Sequence, residues 1–437
     1  MLRYDTSRLQ RNGAGVASNG INLIGHVTSN LGLGVAARNT AALLDEMHMP
    51  FVTVDVATSL KQPHRDSLWD ARMWTERGPA PYRVNLFQLN PPELRTQVRF
   101  RQPWLHVDSR LNATVPFWEL SKLPAAWIDV MRRLDVVLAP TLFIRDLALA
   151  ADLGDDVEVL HFPQTSALPD GVAADRERWG FARDQVVFVS SFDLSSDLSR
   201  KNPAGTVAAF QSMRAATDAS TAARARLILK VNNPKGDRSQ AVRLKELHTM
   251  IGGDPAIRVI AESLAYSDVL SLYASADVFV SLHRAEGLGL GLLEAMMLGV
   301  PVIATGYSGN LDFMTPRDSR LVGYTLIPVE GTSIGSYDSS RAGESQMWAE
   351  PDLTDAARGM LELMDDTHRR ELAAAAHAAG LVTRANPARS AAIERLLDLA
   401  DSAPPASRLT ELQRLPEWYW RTRGLAGRTL RAAGLRR

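Results

Sequence analysis

Between residues 277 and 310 the chain spells one local pattern twice. Asp277-Val278-Phe279-Val280-Ser281-Leu282 reads as a buried strand. Glu286-Gly287-Leu288-Gly289 follows as a glycine-rich turn and runs into a helix from Leu290 to Leu298. Gly299-Val300-Pro301-Val302-Ile303-Ala304-Thr305 is then the next buried strand, and it ends in a second glycine loop, Gly306-Tyr307-Ser308-Gly309-Asn310. Apolar runs of this length alternating with helices fit a parallel sheet covered on both faces. Such a sheet opens its ligand crevice at the carboxyl ends of the strands. This run therefore predicts both a fold class and where a ligand would sit.

The same alternation extends over the rest of the chain. In the first half, strands are expected at Ile21–Val27, Phe51–Val56, Val84–Leu89, Ala113–Phe117, Val136–Ala139 and Val157–Phe162. Helices at about Val35–Met47, Pro124–Arg133 and Leu142–Ala151 lie between them. In the second half, strands at Val186–Ser190, Arg226–Val231 and Ile257–Ile260 precede the run above, with helices at Pro203–Arg214 and Ser267–Ser275. A chain of 437 residues exceeds what one core organises and divides into two domains of roughly 200 residues. The expected division is 1–19 disordered, 20–170 a first Rossmann-like domain, 171–400 a second, and 401–437 a basic and aromatic helical segment. Connections between parallel strands are right-handed, so both carboxyl edges face one cleft.

Composition removes several function classes. Net charge is zero, which offers nucleic acid no attraction. The chain has no cysteine, so thiol catalysis, thiolate metal sites and disulfides are excluded, and a cytoplasmic setting fits. No run is long and apolar enough to span a bilayer, and Met1–Asp5 shows no secretory signal. No Asp-x-Asp pair or His/Asp/Glu cluster stands at metal-ligand spacing, so no metal and no cofactor are expected.

The residues that carry chemistry cluster after strands. Glu286 and Glu294 flank the Gly287-Leu288-Gly289 turn and stand on the order of 10–12 Å apart at 1.5 Å per helical residue. Glycines let the chain approach a diphosphate, and the free amides of a helix start bind it. The competing reading makes Glu286 a helix cap and Glu294 a solvated helix residue. Arg200 and Lys201 precede Pro203, which opens a helix; cations there oppose the helix dipole unless an anion joins them. Lys230 closes a strand, where it faces a ligand or pairs with a carboxylate. In the first half, Gly32 and Gly34 form a Gly-x-Gly turn, read either as an approach to a ligand or as a helix start. Trp118 and Glu119 follow a strand; Trp118 offers a face to a sugar ring and Glu119 an acceptor for its hydroxyl. The alternative buries Trp118 between domains with Glu119 as a cap. His26 and His283 lie near strand ends facing the cleft.

The stretch from Glu286 to Glu294, with Arg200-Lys201-Asn202-Pro203 upstream, resembles the donor element of retaining glycosyltransferases of the GT-B fold, family 4 in particular. The resemblance implies an α/β architecture of two Rossmann-like domains facing across a cleft, with C-terminal helices. It also implies a nucleotide diphosphate-sugar donor, with Glu286 on the sugar, Glu294 on the ribose hydroxyls and Lys201 on the diphosphate. The family's usual Arg after the first strand of this domain is replaced by Ser190-Ser191, and Arg200 is the expected substitute. The Arg-Lys-Asn-Pro variant resembles a subgroup associated with bacterial surface polysaccharides.

Catalysis is thus expected from Glu286, Lys201 and Glu119. Substrate binding is expected from Gly32, Gly34, Trp118, Arg200, Lys230, Gly287, Leu288, Gly289 and Glu294. The implied reaction moves a hexose, without a metal, to a glycan or lipid-linked acceptor. Trp418, Trp420 and the terminal arginines suit peripheral contact with the inner face of the plasma membrane. Two other readings stand beside this one: a non-catalytic scaffold of a polysaccharide assembly complex, and a different GT-B reaction such as sugar epimerisation.

Overall fold

A computed structural model gives the architecture, and the structure describes residues 18–56, 65–76, 79–98, 107–194, 196–232, 238–330, 345–402 and 407–414. The first sheet is built from β1 (Ser18–Gly25), β2 (Phe51–Asp55), β3 (Tyr82–Gln88), β4 (Leu111–Thr114), β5 (Val136–Ala139) and β6 (Glu158–His161). Its order is β2-β1-β3-β4-β5-β6 and every pairing is parallel. The second sheet uses β7 (Val186–Asp193), β8 (Ala225–Asn232), β9 (Ile257–Ile260), β10 (Val278–Ser281), β11 (Val302–Thr305) and β12 (Arg320–Val322). Its order is β12-β11-β10-β7-β8-β9, again wholly parallel. Residues 136–139 and 302–305 are buried throughout, because helices cover both faces and leave no solvated side to carry polar residues.

Polar residues do enter the first sheet, where they pair with one another. Asn22, Asn85 and Asn112 are register partners on β1, β3 and β4. Asn22 donates to Asn85 at 3.0 Å and Asn85 to Asn112 at 2.9 Å. Amides in this ladder satisfy each other, so their burial carries no orphaned-donor penalty, and the row fixes the strand register.

Three features depart from expectation. Ser18 and Asn19 already belong to β1, so the first element starts inside the segment expected to be disordered; residues 1–17 lie outside the described residues. A hairpin, β13 (Tyr324–Pro328) with β14 (Met347–Pro351), follows the second sheet. It places Trp348 in the same apolar cluster as Trp118 of the first domain. The helix Ala388–Asp401, expected at the end of the second domain, packs instead on the first sheet. Ala392, Ile393, Leu396 and Ala400 join Ile21, Leu23, Val84, Leu86 and Leu138 in one core. Arg83 on Asp401 at 2.8 Å and Arg395 on Glu158 at 2.9 Å tie down its margins. The chain therefore crosses between domains twice, and the second domain ends near Asn386 rather than at residue 400. The basic segment with Trp418, Trp420 and Arg428–Arg437 lies outside the described residues. No helix among the described residues is long and apolar enough to cross a membrane.

Candidate active site

The two carboxyl edges enclose a cavity of about 430 Å³. The first domain contributes the start of its helix Gly32–Glu46, through Leu31, Gly32, Leu33, Val35 and Ala36, together with Phe117 and Glu119. The second contributes Ser191, Lys201, Lys230, Ser263, Tyr266, the loop Glu286–Gly289 and Glu294. Loops after β1, β4, β7, β8, β9 and β10 thus meet at one place.

Loop geometry explains the glycines. Gly289 has φ +87° and caps the helix Leu290–Met297 with no side-chain hydrogen bond. A residue with a Cβ would cost about 1–2 kcal/mol there. The Leu292 amide already donates to the Gly289 carbonyl at 2.9 Å; with no side chain on the cap, none competes with an anion for the Leu290 and Gly291 amides. Gly287 serves close approach: a Cβ would lie 3.0 Å from the Trp118 carbonyl oxygen across the interdomain boundary. Gly309 is equally constrained, since a Cβ would fall 2.2 Å from the Gly287 carbonyl oxygen.

At one end of the cavity, Lys201 donates to Glu286, and the Arg200 guanidinium stands 3.4 Å from the same carboxylate. Burial alone would push the Glu286 carboxyl up, but Lys201 and Arg200 overcome it and hold it at about 2. Burial lowers Lys201 from its ordinary value, with Glu286 opposing the shift. Glu119 crosses from the first domain to within 3.6 Å of Arg200. Lys230, register partner of Ser191 across β7 and β8, is pushed down to about 8 by burial, with Asp193 opposing.

At the other end, Glu294 accepts a 2.6 Å hydrogen bond from Tyr266, whose hydroxyl also contacts Ser166 at 3.2 Å. Burial raises the Glu294 carboxyl to about 7, against the lowering effect of Tyr266 and Arg38. Arg38 reaches over the Tyr266 ring at 5.8 Å and bonds the carbonyls of Val27 and Ser29.

Of the sequence-derived residues, Glu286, Lys201, Glu119, Gly32, Lys230, Leu288, Gly289, Gly287 and Glu294 line this cavity. Three do not. Trp118 is 1 % exposed, packs edge-on to Trp127 and donates its indole N–H to Lys122 at 2.8 Å. It is core, with no face left for a sugar. Arg200 is buried behind the loop and donates to the Ala285 carbonyl at 2.8 Å. It holds the loop backbone and stands beside the lining carboxylates Glu119 and Glu286, outside the lining itself. Gly34 is a packing glycine, since a Cβ would sit 2.1 Å from the Ser29 carbonyl oxygen. Arg200 and Lys201 also occupy a separate one-turn helix, Leu198–Lys201; left-handed Asn202 (φ 51°) divides it from the helix Pro203–Ala215.

Neither His26 nor His283 is among the lining residues. His26 bonds Val56 at 2.7 Å and Glu93 at 3.0 Å. His283 is fully buried against Ser281 and Asn310. Tyr266, Ser263 and Phe117 were not anticipated as site residues, although Ser263 and Phe117 follow strand ends as the recognised ones do. Among the described residues, no group of three His, Asp or Glu side chains could hold a metal ion.

Comparisons with known proteins agree with this architecture. Residues 182–325 match the family model described as Glycosyl transferases group 1. The matched segment is the one carrying Lys201, Lys230, Glu286 and Glu294. Sulfoquinovosyl transferase SQD2 of Arabidopsis thaliana is 34 % identical over 84 residues, which span 19 % of this chain and 16 % of that protein. Sucrose-phosphate synthase from Thermosynechococcus elongatus superposes with TM-score 0.62 at 13 % identity, covering 88 % of this chain and 100 % of the other. The α,α-trehalose 6-phosphate synthase of Burkholderia multivorans gives 0.57 at 13 %, covering 88 % and 99 %. An E. coli trehalose-6-phosphate structure bound with UDP-2-fluoro glucose gives 0.52 at 12 %, covering 72 % and 73 %. The fold is GT-B: two parallel-sheet domains facing across a cleft.

Proposed function

We propose that this chain is a retaining glycosyltransferase that moves a hexose from a nucleotide diphosphate-sugar to a glycan or lipid-linked acceptor. The observation that carries the reading is the juxtaposition of Lys201, Glu286 and an uncapped helix start inside the interdomain cavity. A diphosphate takes the helix amides and the Lys201 ammonium, a charge-assisted arrangement strongest where water is excluded. Glu286 then exchanges its contact with Lys201 for the sugar hydroxyls. Glu294 accepts from the ribose at the far end. The UDP-sugar analogue bound by the E. coli neighbour supports this class of donor.

In the reaction the bond from the anomeric carbon to the phosphate oxygen breaks on the face where the acceptor oxygen adds. The departing phosphate oxygen takes the acceptor proton, so no protein nucleophile is required. Lys201 and the amides stabilise the charge that grows on the diphosphate. Positive groups of the chain fill the part a metal could play, so the proposed chemistry needs neither metal nor cofactor. The Arg-Lys-Asn-Pro element supports a place in bacterial surface polysaccharide synthesis, carried out in the cytoplasm or at the membrane's inner face.

Turnover of a panel of nucleotide sugars, scored by nucleoside diphosphate release with and without EDTA, tests the proposal. Release from one donor, unaffected by EDTA and lost in Glu286→Ala, is expected. Saturable nucleotide binding without any release, across a panel of glycan and lipid-linked acceptors, would replace it with the scaffold reading.

A further inference from the structure

The Glu286–Gly289 loop belongs to the second domain, yet much of what shapes it comes from the first. Thr141 of the first domain donates its hydroxyl to the Gly287 carbonyl at 3.2 Å, and Thr141 is fully buried. One residue on, the Leu142 amide donates to both oxygens of Asp312, at 3.0 and 2.9 Å. His161, also of the first domain, meets the same carboxylate at 3.0 Å. Ala139 and His161 are register partners on β5 and β6, so these contacts issue from two neighbouring strand ends.

Asp312 closes the short 3-10 turn Gly309–Asp312, and that segment is fastened to the loop. Ser308 accepts from the Glu286 amide at 2.9 Å, and the Gly309 amide donates to the Glu286 carbonyl at 2.9 Å. Glu286 is thus gripped on both sides of its backbone by a segment that Asp312 pins to the first domain. Leu288 lines the active-site cavity on one side and a second cavity, with His161 and Asp312, on the other. The loop is a wall between them, and the first domain supplies part of what holds its shape.

We propose that Asp312 and Thr141 are positioning residues: docking of the two domains through them sets the Glu286–Gly289 loop in its ligand-binding form. Neither side chain is among the residues lining the active-site cavity, so each acts through the loop. An anion-binding loop needs its amides aimed within a fraction of an ångström, and a misplacement of about 1 Å costs on the order of 10²-fold in rate. The loop's capacity is then conditional on the closed arrangement of the domains. This inference rests on the proposed transferase reading for its kinetic consequences but not for its structural one.

Two readouts test it on the full-length protein. Hydrogen exchange of the peptide spanning residues 284–291 is compared between wild type and Asp312→Ala, Asp312→Asn and Thr141→Val. Faster exchange is expected in Asp312→Ala, confined to this peptide and the 305–313 segment, with partial recovery in Asp312→Asn, whose amide oxygen still accepts from Leu142. Steady-state kinetics on the donor found active should show kcat reduced about tenfold or more in Asp312→Ala, with a smaller loss in Thr141→Val and melting temperatures close to wild type. Unchanged exchange in both Asp312→Ala and Thr141→Val would overturn the inference, whatever the enzyme's activity. So would exchange that rises uniformly over both domains in every variant, because Asp312 would then support the fold at large. An absence of turnover in the wild type itself bears on the transferase reading alone, and the exchange comparison still decides this one.

Discussion

Glu286 and Glu294 bracket one loop and helix, line one cavity and are both nearly buried, at 9 % and 4 % exposure. Their carboxyls nonetheless move in opposite directions, to about 2 and to about 7. Burial acts on both in the same sense, so the difference lies in their neighbours. Glu286 has a lysine in contact and an arginine 3.4 Å away, whereas the group bonded to Glu294 is the neutral Tyr266 hydroxyl. One end of the cavity is therefore an ion pair. The other is a carboxyl that changes charge near neutrality. Chemistry along the cavity is set by partners, not by depth.

The largest effect should come from making the two ends alike. Lys201→Met removes the contact cation, so the Glu286 carboxyl shifts upward toward the behaviour of Glu294. Nucleoside diphosphate release should fall on the order of 10²–10³-fold, the scale of losing one charged stabiliser. Stripping one partner from a buried pair also destabilises by about 3–5 kcal/mol, readable by denaturant melts. Glu286→Gln keeps the shape but removes the charge. About a 10²-fold loss of turnover is expected, with the nucleotide dissociation constant changed far less, because Lys201 is then freed for the diphosphate.

The comparison can be sharpened with pH. A ribose donating to Glu294 needs the carboxylate, so affinity for a nucleoside diphosphate should rise as pH climbs through about 7. Lys230 lines the same cavity and its charge favours a diphosphate there, so affinity should fall above about 8. Calorimetric titration should give a maximum between these values and a roughly fivefold fall by pH 6. Glu294→Gln should abolish the acid limb and Lys230→Met the alkaline one. Stability shows the same opposition. Glu286, depressed when folded, stabilises above its unfolded value of 4.5 and loses this as pH falls through about 2. Glu294, raised when folded, stabilises below 4.5 and loses this as pH rises through about 7.

The smallest effect is expected at Tyr266. Tyr266→Phe removes one internal hydrogen bond, a loss of about 1 kcal/mol in stability readable by denaturant melts. Because Tyr266 holds the Glu294 carboxyl down, its loss should also move the acid limb above pH 7. An unmoved limb would mean that Glu294 owes its behaviour to burial, Arg38 and Ser166.

Local patterning made the sheets and the Glu286–Gly289 loop legible. Val136–Ala139 and Ile257–Ile260 were bounded as the structure has them, since apolar runs closed by turn residues constrain strands strongly. The glycine loop was legible because positive φ and close approach leave a mark on residue choice. What the sequence could not convey was which face of a residue meets which partner across a long separation. Trp118 follows a strand, which left a cleft-facing and a buried reading open; the cluster that decides for burial includes Trp348 of the hairpin, some 230 positions away. Arg200 and Lys201 are adjacent, yet one points behind the loop and the other into the cavity, a consequence of a one-turn helix too short to show periodicity. Asp312 carries no motif at all, because its partners are a backbone amide and a histidine of the other domain.

The return of the helix Ala388–Asp401 to the first sheet has a consequence for how the molecule comes into being. Ile21, Leu23, Val84, Leu86 and Leu138 are made early in synthesis, while the residues that cover them, Ala392, Ile393, Leu396 and Ala400, are made only after the whole second domain. A ribosome adding about 5–20 residues per second leaves that apolar face waiting for many seconds. The first domain is therefore the last to be finished, and its uncovered sheet is where a nascent chain would be most exposed to misassembly.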